Sequence, residues 1–333
     1  MKSEERRETT VSPVDPAAPD LAVMARAGQV LRRGGLVAFP TETVYGLGAN
    51  SLDPAAVAGI YAAKGRPSRN PLIVHVVGEA MRASLVADWP SAAIALTAAF
   101  WHGPLTLVLP KSAAVPDIVT GGGPSVAVRE PAHPVARALI LAANCPVAAP
   151  SANRSNKLSP TLAAHVLKGL AGRIDLLLDG GPCIAGIEST VLDLSGARPR
   201  LLRPGPLSRE VLEAVIGPID LTGGHLGSAA LPSPGMLAKH YAPRTPTVMV
   251  RDVGDFRFGE GKVAIVTFRP IGKIAATVVT LPDEPVGYAA ELFAQLHELD
   301  DGRFDRIIIV EPPDEPAWAA VRDRLMRATR RDD

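Results

Sequence analysis

Residues 34–54 read GGLVAFPTETVYGLGANSLDP, and a helix stop, a strand, a polar loop and a helix start follow one another within them. Gly34-Gly35 ends a helix that runs back through Arg33 to an N-cap at Asp20. Leu36–Phe39 is a short apolar run of the kind a buried strand needs, halted by Pro40. Asp53-Pro54 joins an N-cap carboxylate to a proline at the first helical position, where the missing N–H costs nothing. Helix, strand and helix in so short a span predict an α/β chain.

The alternation continues outward. Strand patterns recur at Leu72–Val77, Leu105–Leu109, Ser125–Arg129, Val147–Ala149, Ile174–Leu178 and Thr190–Leu194. Helical stretches lie near 91–101 and 134–143, and Ser159-Pro160 opens another. Short strands interleaved with helices predict a largely buried, mixed twisted sheet. Residues 217–246 are rich in Gly, Pro, Ser and Thr and read as a linker. Strands at Val248–Val250, Val263–Phe268 and Arg306–Val310 then alternate with helices at Pro285–Leu299 and Pro316–Arg330, a small doubly wound pattern. The expected organisation is a flexible tail over 1–19, a larger α/β domain over 20–216, a linker or lid over 217–246 and a small Rossmann-like α/β domain over 247–333.

The chain has 333 residues, more than one ordinary domain holds, and 47% of them are hydrophobic, enough for sizeable cores. Thirty-five basic residues against 34 acidic ones leave a net charge of +1, which gives no overall footprint for a polyanion. Cys145 and Cys183 are too few for a disulfide framework and read as buried, inert thiols. The histidines are scattered without metal-ligand spacing, so no dedicated metal cage is expected. The N-terminus is charged and broken by Pro13, Pro16 and Pro19, unlike a signal peptide, and no apolar run approaches a membrane span. A cytoplasmic protein without a membrane partner is the expectation.

Polar and glycine-rich residues gather at the strand ends, where α/β folds place ligands. Pro40 to Gly48 offers hydroxyls at Thr41 and Thr43, the carboxylate of Glu42 and the phenol of Tyr45, among glycines that permit close backbone approach. Lys64, Arg66 and Arg69 cluster beyond a helix C-terminus, more cations than a helix dipole needs and suited to a triphosphate, with Asn70 beside them. His75 emerges from the next strand, a position equally open to a satisfied core histidine. Ser125 and Arg129, four apart on a strand, face one side, and a buried strand arginine needs an anion. Ala148 to Ser155, with Ser159 following, resembles a phosphate or ribose cradle. Gly186 to Thr190 and Leu202 to Gly205 complete six clusters. No Walker loop, G-x-G-x-x-G or G-x-S-x-G is present, so a nucleotide site must be assembled from separate loops.

In this order, PTETVYGLG, KGRPSRNPLIVHV, SVAVREP, APSANRS, GIESTV and LLRPGP resemble the threonylcarbamoyl-AMP synthase family, whose core is the YrdC-like domain. The resemblance covers roughly 20–215. Ser233 to Met236 and His240 to Pro243 resemble the linker of the two-domain members, which makes the rest their Rossmann-like domain. It implies a YrdC-like fold and a nucleotidyltransferase reaction: L-threonine and bicarbonate give N-carboxythreonine, whose carboxylate attacks the α-phosphate of ATP and releases pyrophosphate. Threonylcarbamoyl-AMP then passes to tRNA-modifying threonylcarbamoyl transferase proteins. By the same resemblance Thr43, His75, Arg129, Ala149 and Ser189 match threonine-binding positions. Arg66, Asn70, Ser125, Ser151, Ser159, Arg203 and Tyr241 match ATP-binding ones, and Lys64 is assigned to the phosphates or the carbamate. Mg²⁺ is expected to arrive with ATP. Ser125 stands where a threonine is common, and nothing functional carries over onto the helix from Glu315 to Arg330, which fits the family loosely.

An RNA-binding module is the alternative, since the YrdC-like fold is known for a concave basic surface. The balanced charge and 4% aromatic content weigh against stable nucleic-acid binding. Carbamoyl-transferring maturation factors that contain a YrdC-like domain are larger and carry zinc-finger cysteines, which this chain lacks.

Overall fold

The computed structural model describes residues 8–221, 240–255 and 261–330. The first part of the chain runs β1 (Thr10–Pro13), α1 (Leu21–Arg32), β2 (Val37–Phe39), β3 (Gly46–Asn50), α2 (Pro54–Lys64), β4 (Ile73–His75), α3 (Glu79–Leu85), α4 (Ser91–Phe100), β5 (Leu105–Pro110), α5 (Asp117–Thr120) and β6 (Ser125–Arg129). It continues with α6 (Pro134–Ala143), β7 (Val147–Ala148), α7 (Ala163–Leu170), β8 (Leu176–Asp179), β9 (Thr190–Asp193), β10 (Arg200–Arg203), α8 (Arg209–Ile216) and β11 (Asp220–Leu221). The strands form an 11-stranded sheet in the order β1-β8-β2-β3-β7-β4-β6-β5-β9-β10-β11, with parallel and antiparallel neighbours mixed.

The local chemistry explains several boundaries. Asp20 caps α1 by accepting from Ala22 N at 2.7 Å and Val23 N at 3.2 Å. Asp53 caps α2 in the same way, Pro54 follows it, and Gly65 closes the helix in the left-handed conformation at φ 61°. Strand alternation separates two cores. Val37 and Phe39 pack with Met24 and Leu31 of α1 and Leu139 of α6, whereas Ala38 packs with Val57 and Ile60 of α2. The sheet therefore lies between two helical layers, and its strand ends stay free for a site.

The second part contains β12 (Thr247–Val250), β13 (Val263–Thr267), β14 (Thr277–Thr280), α9 (Pro285–Leu299), β15 (Arg306–Val310) and α10 (Ala319–Ala328). Its sheet has four parallel strands in the order β12-β15-β13-β14. Ile307–Ile309, Leu292, Phe293 and Leu325 form its core, which also takes in Val44, Ile187 and Tyr241. The two parts share this packing.

Three expectations are corrected. The tail is not free over Thr10–Pro13, which pairs in parallel with β8 and supplies the sheet's edge strand. The first sheet runs beyond 216, because β11 pairs with β10 inside the stretch read as linker. The helix read from Ser159-Pro160 starts at Ala163, and 159–162 are irregular instead. Ser233 to Met236 and most of the linker lie outside the described residues.

Candidate active site

A cavity opens at the strand ends, on the side that faces the second part of the chain, which lends it His240 and Tyr241. Its wall is built from loops that the sheet sets side by side. The parallel register of β4 and β6 places His75 beside Arg129. Ala149 N bonds to Ile73 O at 2.9 Å, which brings the end of β7 alongside. A bridge between Gly46 and Ser151 joins the loops after β2 and β7. Ser189 precedes β9, Arg203 ends β10, and both come to the same wall.

The five positions grouped for threonine, Thr43, His75, Arg129, Ala149 and Ser189, all line this cavity. Arg129 is 3% exposed and spends its guanidinium on three partners. Nη1 donates to Thr43 Oγ1 at 3.0 Å, Nε to Gly103 O at 3.1 Å and Nη2 to Glu42 Oε1. Burial alone would raise the Glu42 carboxyl, but the Arg129 charge holds it below its ordinary value. Burial, reinforced by Arg129, pushes His75 down to about 3, so this ring is neutral at physiological pH. Its Nδ1 has no protein partner. Ser189 Oγ meets Thr106 Oγ1 at 2.8 Å and receives Arg203 Nη2 at 3.1 Å.

Of the positions grouped for ATP, Arg66, Ser151, Arg203 and Tyr241 line the cavity. Lys64, Asn70, Ser125 and Ser159 do not. Asn70 stands behind Arg66, accepting Nη2 at 2.6 Å through its side chain and Nε at 3.1 Å through its carbonyl. Lys64, buried, donates to the carbonyls of Ser151 and Asn153 and so holds the wall from behind. Ser159 bonds to Glu188 Oε1. Ser125 lies at the opposite end of β6, about 13 Å from Arg129 at the rise of an extended strand.

The cavity is electrostatically unfinished. Burial, with Arg66 and Arg154 adding to it, takes Lys64 well below its ordinary value. Burial takes Arg66 down to about 10 and lowers Arg203. Cations held together in low dielectric favour an anion among them. Tyr241, at φ 60°, places a buried hydroxyl without a partner at the same cavity, next to the orphaned Nδ1 of His240. Buried polar atoms without partners mark a place where a ligand completes the hydrogen bonding. These atoms and cations fit a triphosphate nucleotide. No group of three His, Cys, Asp or Glu side chains suits a metal ion among the described residues.

Sequence reasoning gave no binding role to four contributors. Glu188 and His240 line the cavity, and Thr41 does so while accepting the amides of Thr43 and Val44. Glu188 and Thr41 stood inside motifs already marked for ligand binding, so their signal was present. Arg324, on α10, reaches Glu188 from the second part of the chain, and nothing in its local sequence announces this.

Residues 29–205 match the Sua5, YciO and YrdC family profile described as "Telomere recombination", and 207–329 match one described as "Threonylcarbamoyl-AMP synthase, C-terminal domain". A threonylcarbamoyl-AMP synthase of Pyrococcus abyssi is 42% identical over 91% of this chain and 93% of its own. One of Bacillus subtilis is 43% identical over 92% of each. The crystal structure of P. abyssi Sua5 complexed with L-threonine superposes with a TM-score of 0.90 at 40% identity, covering 96% of this chain and 97% of that one. Motifs, fold and cavity point the same way, and the chain belongs to the threonylcarbamoyl-AMP synthase family in its two-domain form.

Proposed function

We propose that the chain is an L-threonylcarbamoyladenylate synthase, which makes threonylcarbamoyl-AMP and pyrophosphate from L-threonine, bicarbonate and ATP for the N6-threonylcarbamoyladenosine modification of tRNA. The observation that carries this reading is one cavity lined by two unlike sets of groups. Thr43, His75 and Ser189 offer neutral hydrogen-bonding groups, with the Arg129 guanidinium beside Thr43 and His75, suited to a small amino acid. Arg66, Arg203 and the Tyr241 hydroxyl offer cations and an unpartnered polar group, suited to phosphates.

The chemistry needs little else from the protein. Threonine's amine and bicarbonate form the N-carboxylate with loss of water, and that carboxylate attacks the α-phosphorus as pyrophosphate leaves. The nucleophile is already an anion, so no general base is required for the attack itself. Alignment and charge neutralisation are. Arg129 takes the threonine carboxylate while Glu42 and Thr43 fix its plane, and neutral His75 meets the hydroxyl. Ile73 and Ala149, which line the cavity, offer apolar surface for the methyl. Arg66 and Arg203 bind phosphate oxygens, with Lys64 and Asn70 acting through the groups they hold. Ser125 is left to a more distal part of the nucleotide. Mg²⁺, carried in with the triphosphate, would supply further charge neutralisation there. A carbamate decays in water, which gives His240 and Tyr241 a covering role over the cavity. The expected setting is the cytoplasm, where the product passes to the transferase proteins.

The test is direct. Labelled bicarbonate and ATP are supplied with each amino acid in turn, and an acyl-adenylate is sought. Product with threonine, and stoichiometric pyrophosphate without RNA, is the expected result. Turnover that requires RNA would favour the RNA-binding alternative instead.

A further inference from the structure

Arg324 is carried by α10, yet its side chain has no exposure to solvent. Its Nε donates to Glu188 Oε2 at 2.9 Å, and its Nη2 to the Glu188 carbonyl at 3.2 Å. Its Nη1 donates to the Pro204 carbonyl at 2.8 Å and to Asp323 Oδ2 at 2.9 Å. The guanidinium carbon lies 5.4 Å from the centre of the Tyr241 ring. Glu188, Tyr241, and the immediate neighbours Ser189 and Arg203 all line the cavity. One side chain from the second domain thus grips three segments of the wall at once.

Glu188 makes this grip necessary. A carboxylate in a cavity shaped for a triphosphate repels its ligand unless a cation answers it. Burial would raise the Glu188 carboxyl, but Arg324 first and Arg203 next hold it below its ordinary value. Without Arg324, Arg203 and Lys64 are the cations left near Glu188, and Arg203 already bonds to the Ser189 carbonyl at 3.0 Å and its hydroxyl at 3.1 Å. Drawn toward Glu188, Arg203 would leave both Ser189 and the nucleotide.

We propose that Arg324 is a positioning residue for the adenylylation step, supplied by the C-terminal domain to neutralise Glu188, release Arg203 for the nucleotide and fix the backbones at 188–189 and 203–204. A contact that merely fastens two domains would need neither the paired main-chain carbonyls nor a carboxylate that lines the cavity. The inference rests on the synthase reading of that cavity.

The experiment compares wild type, Arg324→Met, and Arg324→Met combined with Glu188→Gln, measuring pyrophosphate release against ATP concentration alongside thermal melts. Arg324→Met should lower kcat/KM for ATP by about 100-fold, the scale of a misplaced catalytic group. Adding Glu188→Gln should recover about tenfold or more, because the unanswered charge is gone. A merely structural role would lower the melting temperature and gain nothing from the second change. An Arg324→Met enzyme within about threefold of wild type overturns the proposal, as does a double variant no better than the single one. If Arg324→Met alone does not fold, the double variant decides: activity within about tenfold of wild type supports the proposal, and lower activity overturns it. A wild type that makes no threonylcarbamoyl-AMP overturns the synthase reading and this inference with it. An active wild type beside an unimpaired Arg324→Met overturns the inference alone.

Discussion

Replacing Arg66 tests the nucleotide half of the cavity, and the structure sets the size of the effect. Three hydrogen bonds occupy Nε and Nη2, to Asn70 O at 3.1 Å, Asn70 Oδ1 at 2.6 Å and Pro71 O at 2.8 Å. The group is thus held rigidly, and under the proposed reading Nη1 is the edge offered to a phosphate. A charge-assisted contact of this kind is worth about 1.5–3 kcal/mol. At about 1.4 kcal/mol per factor of ten, Arg66→Ala should raise KM for ATP roughly 10- to 150-fold. Burial takes the guanidinium only to about 10, so its charge persists at neutral pH and the effect should not depend on pH there. The substitution also strands the Asn70 side chain, which costs about 1–3 kcal/mol of stability. Melting curves must therefore accompany the kinetics. Arg66→Lys keeps the charge but loses the fork, and should fall between wild type and Arg66→Ala. Pyrophosphate release at saturating threonine and bicarbonate is the assay. If KM and kcat for ATP in a folded Arg66→Ala protein stay within about twofold of wild type, Arg66 does not touch the nucleotide.

Three further outcomes are expected. Threonine should be used in preference to serine by about 10- to 200-fold, the worth of one methyl enclosed between Ile73 and Ala149, and equal rates at equal concentrations would refute the enclosure. Stability should fall as pH drops below 6.5, because His75 and His165 are pushed down to about 3 by burial, so the unfolded chain binds protons the folded one refuses. Each such histidine costs up to about 1.4 kcal/mol per pH unit in that window, and melts whose midpoint does not move on going from about pH 7 to about pH 5 would contradict it. Gly205→Ala should weaken threonine binding severely, since a Cβ there would stand 2.3 Å from Thr190 N and 2.6 Å from the Ser189 carbonyl carbon; calorimetric titration with threonine would reveal an unaffected site.

The sequence disclosed what is locally encoded and missed what depends on distant partners. Asp20, Asp53, Pro54 and Gly65 carry cap and stop chemistry in their own neighbourhoods, and α1 and α2 appear where those residues place them. β3 was hidden because Gly46-Leu47-Gly48 has poor strand propensity and forms a strand through pairing on both sides, with β2 and β7. β1 was hidden for a similar reason, since its order comes from β8, far along the chain. At the cavity, nine of the thirteen marked residues meet, because family motifs and strand-end logic both point there. Arg324 was illegible. In AAVRDRLMRA it looks like one charge of a solvated helix face, and only tertiary packing turns it inward.

Arg324 also bears on why a small second domain accompanies a sheet that is complete without it. All 11 strands of the first sheet lie within 10–221, so a fragment ending there retains its architecture. What it would lack is chemical. Glu188 would lose Arg324, Ile187 and Val44 would lose the apolar core they share with Tyr241 and Phe293, and the cavity would lose its Tyr241 wall. The stacked rings of His165 and His297, 3.9 Å apart, close the same interface from the α7 side. A reaction whose nucleophile is an unstable anion depends on charge balance and exclusion of water more than on any acid or base. The first domain brings Arg66, Arg129 and Arg203 to the cavity, and the second contributes Arg324, which answers Glu188. The boundary between the two domains therefore passes through the chemistry, along the bonds from Arg324 to Glu188 and Pro204.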